Sequence, residues 1–187
     1  MAASGTLSFM FTDIEASTER WNVDPEGMDI FLRRHDTIIR TVTAEHRGEI
    51  VKHTGDGFML VFDRASDALG TAIAVQLRLA DDGESSDPGI RIGIDTGVAA
   101  ERDGDYFGRT VNRAARIMGS APAGSILLSS IAATQLEEGP DLPAEAQLLE
   151  VGEFDLKGFE TRERIFQVQH PGLPAACLLY TSDAADD

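Results

Sequence analysis

A four-residue turn, Thr54-Gly55-Asp56-Gly57, does most to narrow the fold of this chain. Gly and Asp accept the left-handed backbone of a tight reversal, and the turn separates two strand-like runs, 49–53 and 58–62, so a β-hairpin is expected. A hairpin alone is marginal in water and needs a covering layer. The flanks supply it. An amphipathic stretch opens at Pro25, presents Met28, Phe31, Leu32, Ile38, Ile39 and Val42 on one face, and stops at Gly48. A second helix rich in Ala and Leu is expected over 63–79. The apolar run 7–11 before the first helix and the alternating run 90–98 (IRIGIDTGV) after the second read as strands. The order β-α-β-β-α-β predicts an α+β fold with a ferredoxin-like, split βαβ core.

C-terminal additions follow that core. A helix is expected over 111–118, strands over 125–128, 148–156 and 164–168, and a short helix over 129–136. Residues 15–21 are expected to start a helical turn, while 81–89 and 139–143 read as surface loops.

The formal charge of −16, from 32 acidic and 16 basic residues, repels nucleic acid and anionic membrane surfaces. A nucleotide is still admissible, because metal ions and a few local cations can offset this field in one cleft. No apolar run approaches the roughly 20 residues of a membrane span. Residues 1–5 lack the basic and apolar regions of a signal peptide, so a cytosolic setting is expected. The single cysteine, Cys177, opens the tail CLLYTSDAADD, which resembles one reading frame of a transposase adapter used in sequencing libraries. That resemblance implies that 177–187 is not native sequence and that the parent chain continues past Ala176.

Three separated segments concentrate polar residues. In FTDIEAST, Asp13 ends a buried strand, where an Asp can cap the next helix or hold a hard divalent ion, and the N–H groups of residues 14–17 can meet phosphate. Asp56 suits its turn for backbone reasons alone, but strands of one sheet could bring it edge to edge with Asp13, a spacing that favours metal. Lys52 lies on one strand face with Thr54, and Asp105 stands in a GDYFG loop. Taken singly, these are a solvated lysine and a turn aspartate. As a pair they match adenine, whose N1 accepts from an ammonium and whose N6 donates to a carboxylate; guanine reverses the pattern. Asn112 and Arg116 share a helix face at i, i+4, where an amide can orient a ribose and a guanidinium can stabilise phosphoryl charge, although polar stripes also occur on ordinary helices.

FTDIEAST, VKHTGDGF and GDYFGRTVNRAAR resemble the signature segments of class III adenylate/guanylate cyclase domains, over about residues 7–168. The resemblance implies conversion of ATP to 3′,5′-cyclic AMP and pyrophosphate with two Mg²⁺ or Mn²⁺ ions. It implies metal binding at Asp13, Ile14 and Asp56, adenine selection by Lys52 and Asp105, transition-state contacts from Asn112 and Arg116, and a triphosphate contact from Lys157. It further implies a homodimer whose site takes its metal aspartates from one chain and the other groups from the partner. Ala16 departs from the Gly common at that position in bacterial relatives, which bears on rate and not on reaction type. The implied layout is a catalytic domain over 1–169 and a linker over 170–176, which in some bacterial relatives leads into an ATPase and helical-repeat region. The competing reading is a catalytically silent dimerisation or nucleotide-sensing module serving an effector beyond the C-terminus. It has no need of six such residues. A ferredoxin-like RNA binder is opposed by the charge and by only 6% aromatic content. No P-loop motif occurs.

Overall fold

The computed structural model describes residues 5–81, 83 and 87–174. The proposed tail 177–187 and the last two linker residues therefore lie outside the described residues. The expected core is present: β1 (Leu7–Ile14), then α1 (Ser17–Val23) and α2 (Pro25–Glu45), the hairpin β2 (Glu49–Thr54) and β3 (Gly57–Phe62), α3 (Ala65–Asp81), and β4 (Ile90–Gly97). In the sheet these strands run in the order β2-β3-β1-β4. The first strand is therefore flanked on both sides by later ones, as a split βαβ requires. Beyond the core come a two-stranded arm, β5 (Ala100–Arg102) and β6 (Asp105–Phe107), then α4 (Arg109–Ser120), β7 (Ile126–Ser129), α5 (Ser130–Glu138), β8 (Gln147–Phe154) and β9 (Glu163–Gln169). Strand β7 pairs parallel to β4, and β9 and β8 complete a seven-stranded sheet.

Two expectations need correction. Strand β1 does not stop at 11 but runs to Ile14, because β4 pairs with its whole length down to Ile14↔Ile90. Asp13 is therefore a strand residue and caps nothing. The N-cap of α1 is Ala16, which has φ 53° and no side-chain cap bond. A Cβ in that left-handed conformation costs about 1–2 kcal/mol, which glycine would avoid. The second correction concerns GDYFG, which is no simple loop: Asp105 begins β6. The arm turns at Asp103 and Gly104, both at positive φ (53° and 78°), the pairing that a tight hairpin turn requires.

Strand alternation sorts the sheet into two faces. Met10, Ile14, Phe58, Leu60 and Phe62 pack into one core with residues of α2 and α3. Phe9, Phe11, Met59 and Val61 form a smaller core on the opposite face beneath Val111 and Ala114 of α4. Helix α4 lies very close to β4 there. A Cβ on Gly93 would come within 2.2 Å of the Met118 amide nitrogen, so only glycine fits the crossing.

One buried polar group makes stability pH-dependent. His35 of α2 is fully buried, with its ring 6.0 Å from Phe31 and 5.8 Å from Phe58 and its Nδ1 3.0 Å from Asp36 Oδ1. Burial pushes its pKa down, against a smaller upward pull from Asp36. The unfolded chain thus takes up a proton near the ordinary value of about 6.5 while the folded state resists it. This contribution to stability is complete above that pH and is lost as the pH falls through the lower folded value. His35→Leu is expected to shrink the fall in melting temperature between about pH 7.5 and about pH 5, and a fall as large as that of wild type would show that His35 is not the group responsible.

Candidate active site

Asp13 and Asp56 come together because β1 and β3 are neighbours. Their antiparallel register, Phe11↔Met59, continues to set Gly57 beside Asp13, with Asp56 one residue earlier in the turn. The approach is tight. The Phe58 amide donates to Thr12 Oγ1 at 3.0 Å, and a Cβ on Gly57 would fall 1.8 Å from the Thr12 carbonyl oxygen. Burial pushes the Asp13 carboxyl up, hydrogen bonds from Arg91 pull it down, and the Asp56 carboxylate pushes it up again.

Two adjoining carboxylates, one of them short of solvent, form a donor set that suits a hard divalent cation. Among the described residues no group of three or more His, Cys, Asp or Glu side chains gathers in a metal-holding arrangement. Water, backbone carbonyls or substrate phosphate would complete the shell, as Mg²⁺ sites with one or two carboxylates ordinarily do. The Ile14 side chain is hydrocarbon and buried in the main core, so a metal contact at this residue falls to its backbone carbonyl. The Glu15 N–H, one of those expected to face phosphate, instead donates to the Gly89 carbonyl at 3.0 Å.

Arg91 was not among the residues singled out from the sequence. It stands opposite Asp13 in the β1–β4 register, with Nε and Nη2 at 2.8 and 2.5 Å from Asp13 Oδ2. A signal existed: in IRIGIDTGV the charge of Arg91 interrupts an apolar strand on the face shared with Gly93 and Asp95. Its partner, 78 residues away, leaves no local trace.

Lys52 and Asp105 also meet. Lys52 Nζ is 2.8 and 2.6 Å from the two carboxylate oxygens, and this ion pair joins the sheet edge at β2 to the arm. The arm is held by Tyr106, whose ring packs edge-on against Phe9 at 5.3 Å. Lys52 holds the Asp105 carboxyl below the ordinary range, helped by the Tyr106 amide. Lys52 lies in one row with Met59 and Phe11, so the pair and Asp13 occupy the same sheet face. Two strand spacings, about 10 Å, separate β2 from β1.

Asn112 and Arg116 lie on the exposed side of α4, and no hydrogen bond or ion pair joins their side chains to either cluster. Lys157 is exposed in the turn between β8 and β9, where the Phe159 amide bonds the Leu156 carbonyl and Gly158 takes φ 90°. The six residues are thus arranged as two internal pairs and one outward-facing pair.

The family described as the Adenylate and Guanylate cyclase catalytic domain matches residues 1–170. The chain belongs to this family. An uncharacterized protein of Mycobacterium tuberculosis is 33% identical over 172 residues, which cover 91% of this chain and 58% of that protein. The adenylate cyclase of Neurospora crassa is 33% identical over 160 residues, 71% of this chain and 7% of that protein. The crystal structure of the adenylyl cyclase CyaB from P. aeruginosa superposes with a TM-score of 0.74 at 25% identity, covering 90% of this chain and 96% of that one. The fold is that of the nucleotide cyclases, whose class III domains generally use divalent metal ions. The cyclase domain spans little more than half the length of its mycobacterial relative. Among the described residues no helix is long and apolar enough to cross a membrane.

Proposed function

We propose that this cyclase domain is an adenylate cyclase, converting ATP to 3′,5′-cyclic AMP and pyrophosphate at a site completed by a second copy of the chain in the cytosol. The observation that carries the choice of base is the Lys52–Asp105 pair, a donor and an acceptor held within 2.8 Å of each other. An ammonium that donates to N1 and a carboxylate that accepts from N6 satisfy adenine and leave guanine mismatched.

Asp13 and Asp56, with the Ile14 backbone, would hold two Mg²⁺ or Mn²⁺ ions. Bound there, such ions supply activation of the ribose 3′-hydroxyl and neutralisation of the triphosphate. Arg91 balances the Asp13 charge and brings guanidinium donors to the same cluster for phosphate oxygens. Asn112 orients the ribose, Arg116 stabilises charge on the α-phosphoryl group as the 3′-oxygen displaces pyrophosphate in line, and Lys157 meets the triphosphate. The outward direction of Asn112 and Arg116, away from the carboxylates of their own chain, supports a site shared across a homodimer. The proposed layout remains a catalytic domain over 1–169, a linker from 170, and a parent chain that continues into a further region.

Purified protein incubated with Mn²⁺ and either ATP or GTP tests this reading. Wild type is expected to favour ATP by at least about 10-fold, and Lys52→Glu with Asp105→Cys to erase that preference. Equal turnover of both nucleotides by wild type would remove the assignment of the base.

A further inference from the structure

Apolar contacts seat α4 on the sheet, where Ala114 and Met118 cross Gly93 closely and Val111 and Ile117 are buried on either side. Such non-directional contacts fix the turn of the helix about its axis less sharply than a polar bond does. Yet the angle of that turn decides where Asn112 and Arg116 point. A polar device stands at the same place. Arg113 donates from Nη1 to Asp95 Oδ2 at 3.0 Å, and Asp95 is fully buried in β4. Asp95 is itself fixed, because its other oxygen accepts from the Ser129 hydroxyl at 2.5 Å and from the Thr96 amide at 2.8 Å. The Nε of Arg113 lies 3.2 Å from Glu163 on β9, and its guanidinium carbon is 5.2 Å from the centre of the Phe159 ring. Phe159 follows Lys157 by two residues in the β8–β9 loop.

We propose that Arg113 is a positioning residue, which locks the rotation of α4 against Asp95 and ties the Lys157 loop to the helix through Glu163 and Phe159. Asn112, Arg116 and Lys157 are thereby presented as one rigid set. This inference rests on the roles proposed for those three residues. A rotation of α4 by about 15° moves an atom about 6 Å from the helix axis by about 1.5 Å. A misplacement of about 1 Å can cost about 100-fold in rate. Burying the ion pair is a poor route to stability, because an apolar pair of similar volume often does as well. Orientation is the better account of its presence.

The test uses Arg113→Met/Asp95→Asn, which removes both charges of the Asp95 pair but leaves Glu163 without its partner, and Glu163→Gln, which weakens only the link to the loop. The double variant is expected to stay folded while kcat for ATP falls about 10- to 100-fold and KM rises severalfold, because it loses both the helix lock and the loop link. Glu163→Gln is expected to raise KM for ATP severalfold with kcat nearly retained. In both variants, hydrogen exchange should quicken in 109–120 and 155–162 and stay unchanged in α2 and α3. A folded double variant with wild-type kcat, or unaltered exchange in those two segments, would overturn the proposal. Should the double variant fail to fold, Glu163→Gln decides through its exchange pattern. Arg116→Ala separates the two levels of inference: a wild type without cyclase activity, or an Arg116→Ala protein as active as wild type, defeats the proposed function, whereas the exchange result stands or falls independently.

Discussion

Mixing Asp13→Ala protein with Arg116→Ala protein, each nearly inactive alone, is expected to restore cyclase activity to about half the wild-type level per heterodimer. Asp13→Ala deletes half of the paired carboxylates against β3, and Arg116→Ala deletes the outward guanidinium on α4. In a mixed dimer one site carries both defects. The other takes its carboxylates from the Arg116→Ala chain and its guanidinium from the Asp13→Ala chain, so it is intact. Each homodimer should retain under about 1% of wild-type turnover, since loss of a metal ligand or of a transition-state donor costs about 100- to 1,000-fold. Heterodimers confirmed by mass spectrometry that stay inactive would rule out the shared site and favour a site within one chain or the silent module.

Gly57→Ala should cut Mn²⁺-dependent turnover about 100-fold or more and lower the melting temperature. The added Cβ would sit 1.8 Å from the Thr12 carbonyl oxygen and 3.2 Å from the Asp13 Cα, both backbone atoms that cannot rotate away. The hairpin must retreat from β1 where Asp13 and Asp56 adjoin. Overpacking of this kind costs about 1–3 kcal/mol, and parting the carboxylates by about 1 Å accounts for the loss of rate. Gly55→Ala is the control, because Gly55 has φ 78° but open space around it, so its cost is only the left-handed backbone. Comparable turnover in the two variants would show that the approach of β3 to β1 does not govern the site.

Much of the architecture is legible from short-range pattern. The TGDG turn, the apolar face from Met28 to Val42 and the alternation of IRIGIDTGV each report a local conformation, and each element stands within a few residues of its expected place. The β5–β6 arm escaped because two strands of three residues carry almost no periodicity, and Asp103-Gly104 reads equally as loop. The end of β1 was missed for a related reason: polar Thr12 and Asp13 look like the close of a strand, yet pairing with β4 carries the strand on to Ile14.

The site divides along the same line. Residue type and spacing singled out Asp13, Asp56, Lys52, Asp105, Asn112 and Arg116, since hydrogen-bonding capacity and helical offset belong to the residues themselves. Which of them touch was decided by register alone. Strand β3 beside β1 sets Asp56 near Asp13, β4 on the other side brings Arg91 to the same carboxylate, and the arm folds Asp105 onto Lys52 across 53 residues of chain. Such contacts depend on long-range strand pairing, in which a shift of one residue would turn every side chain to the opposite face, and no local window of sequence contains that information.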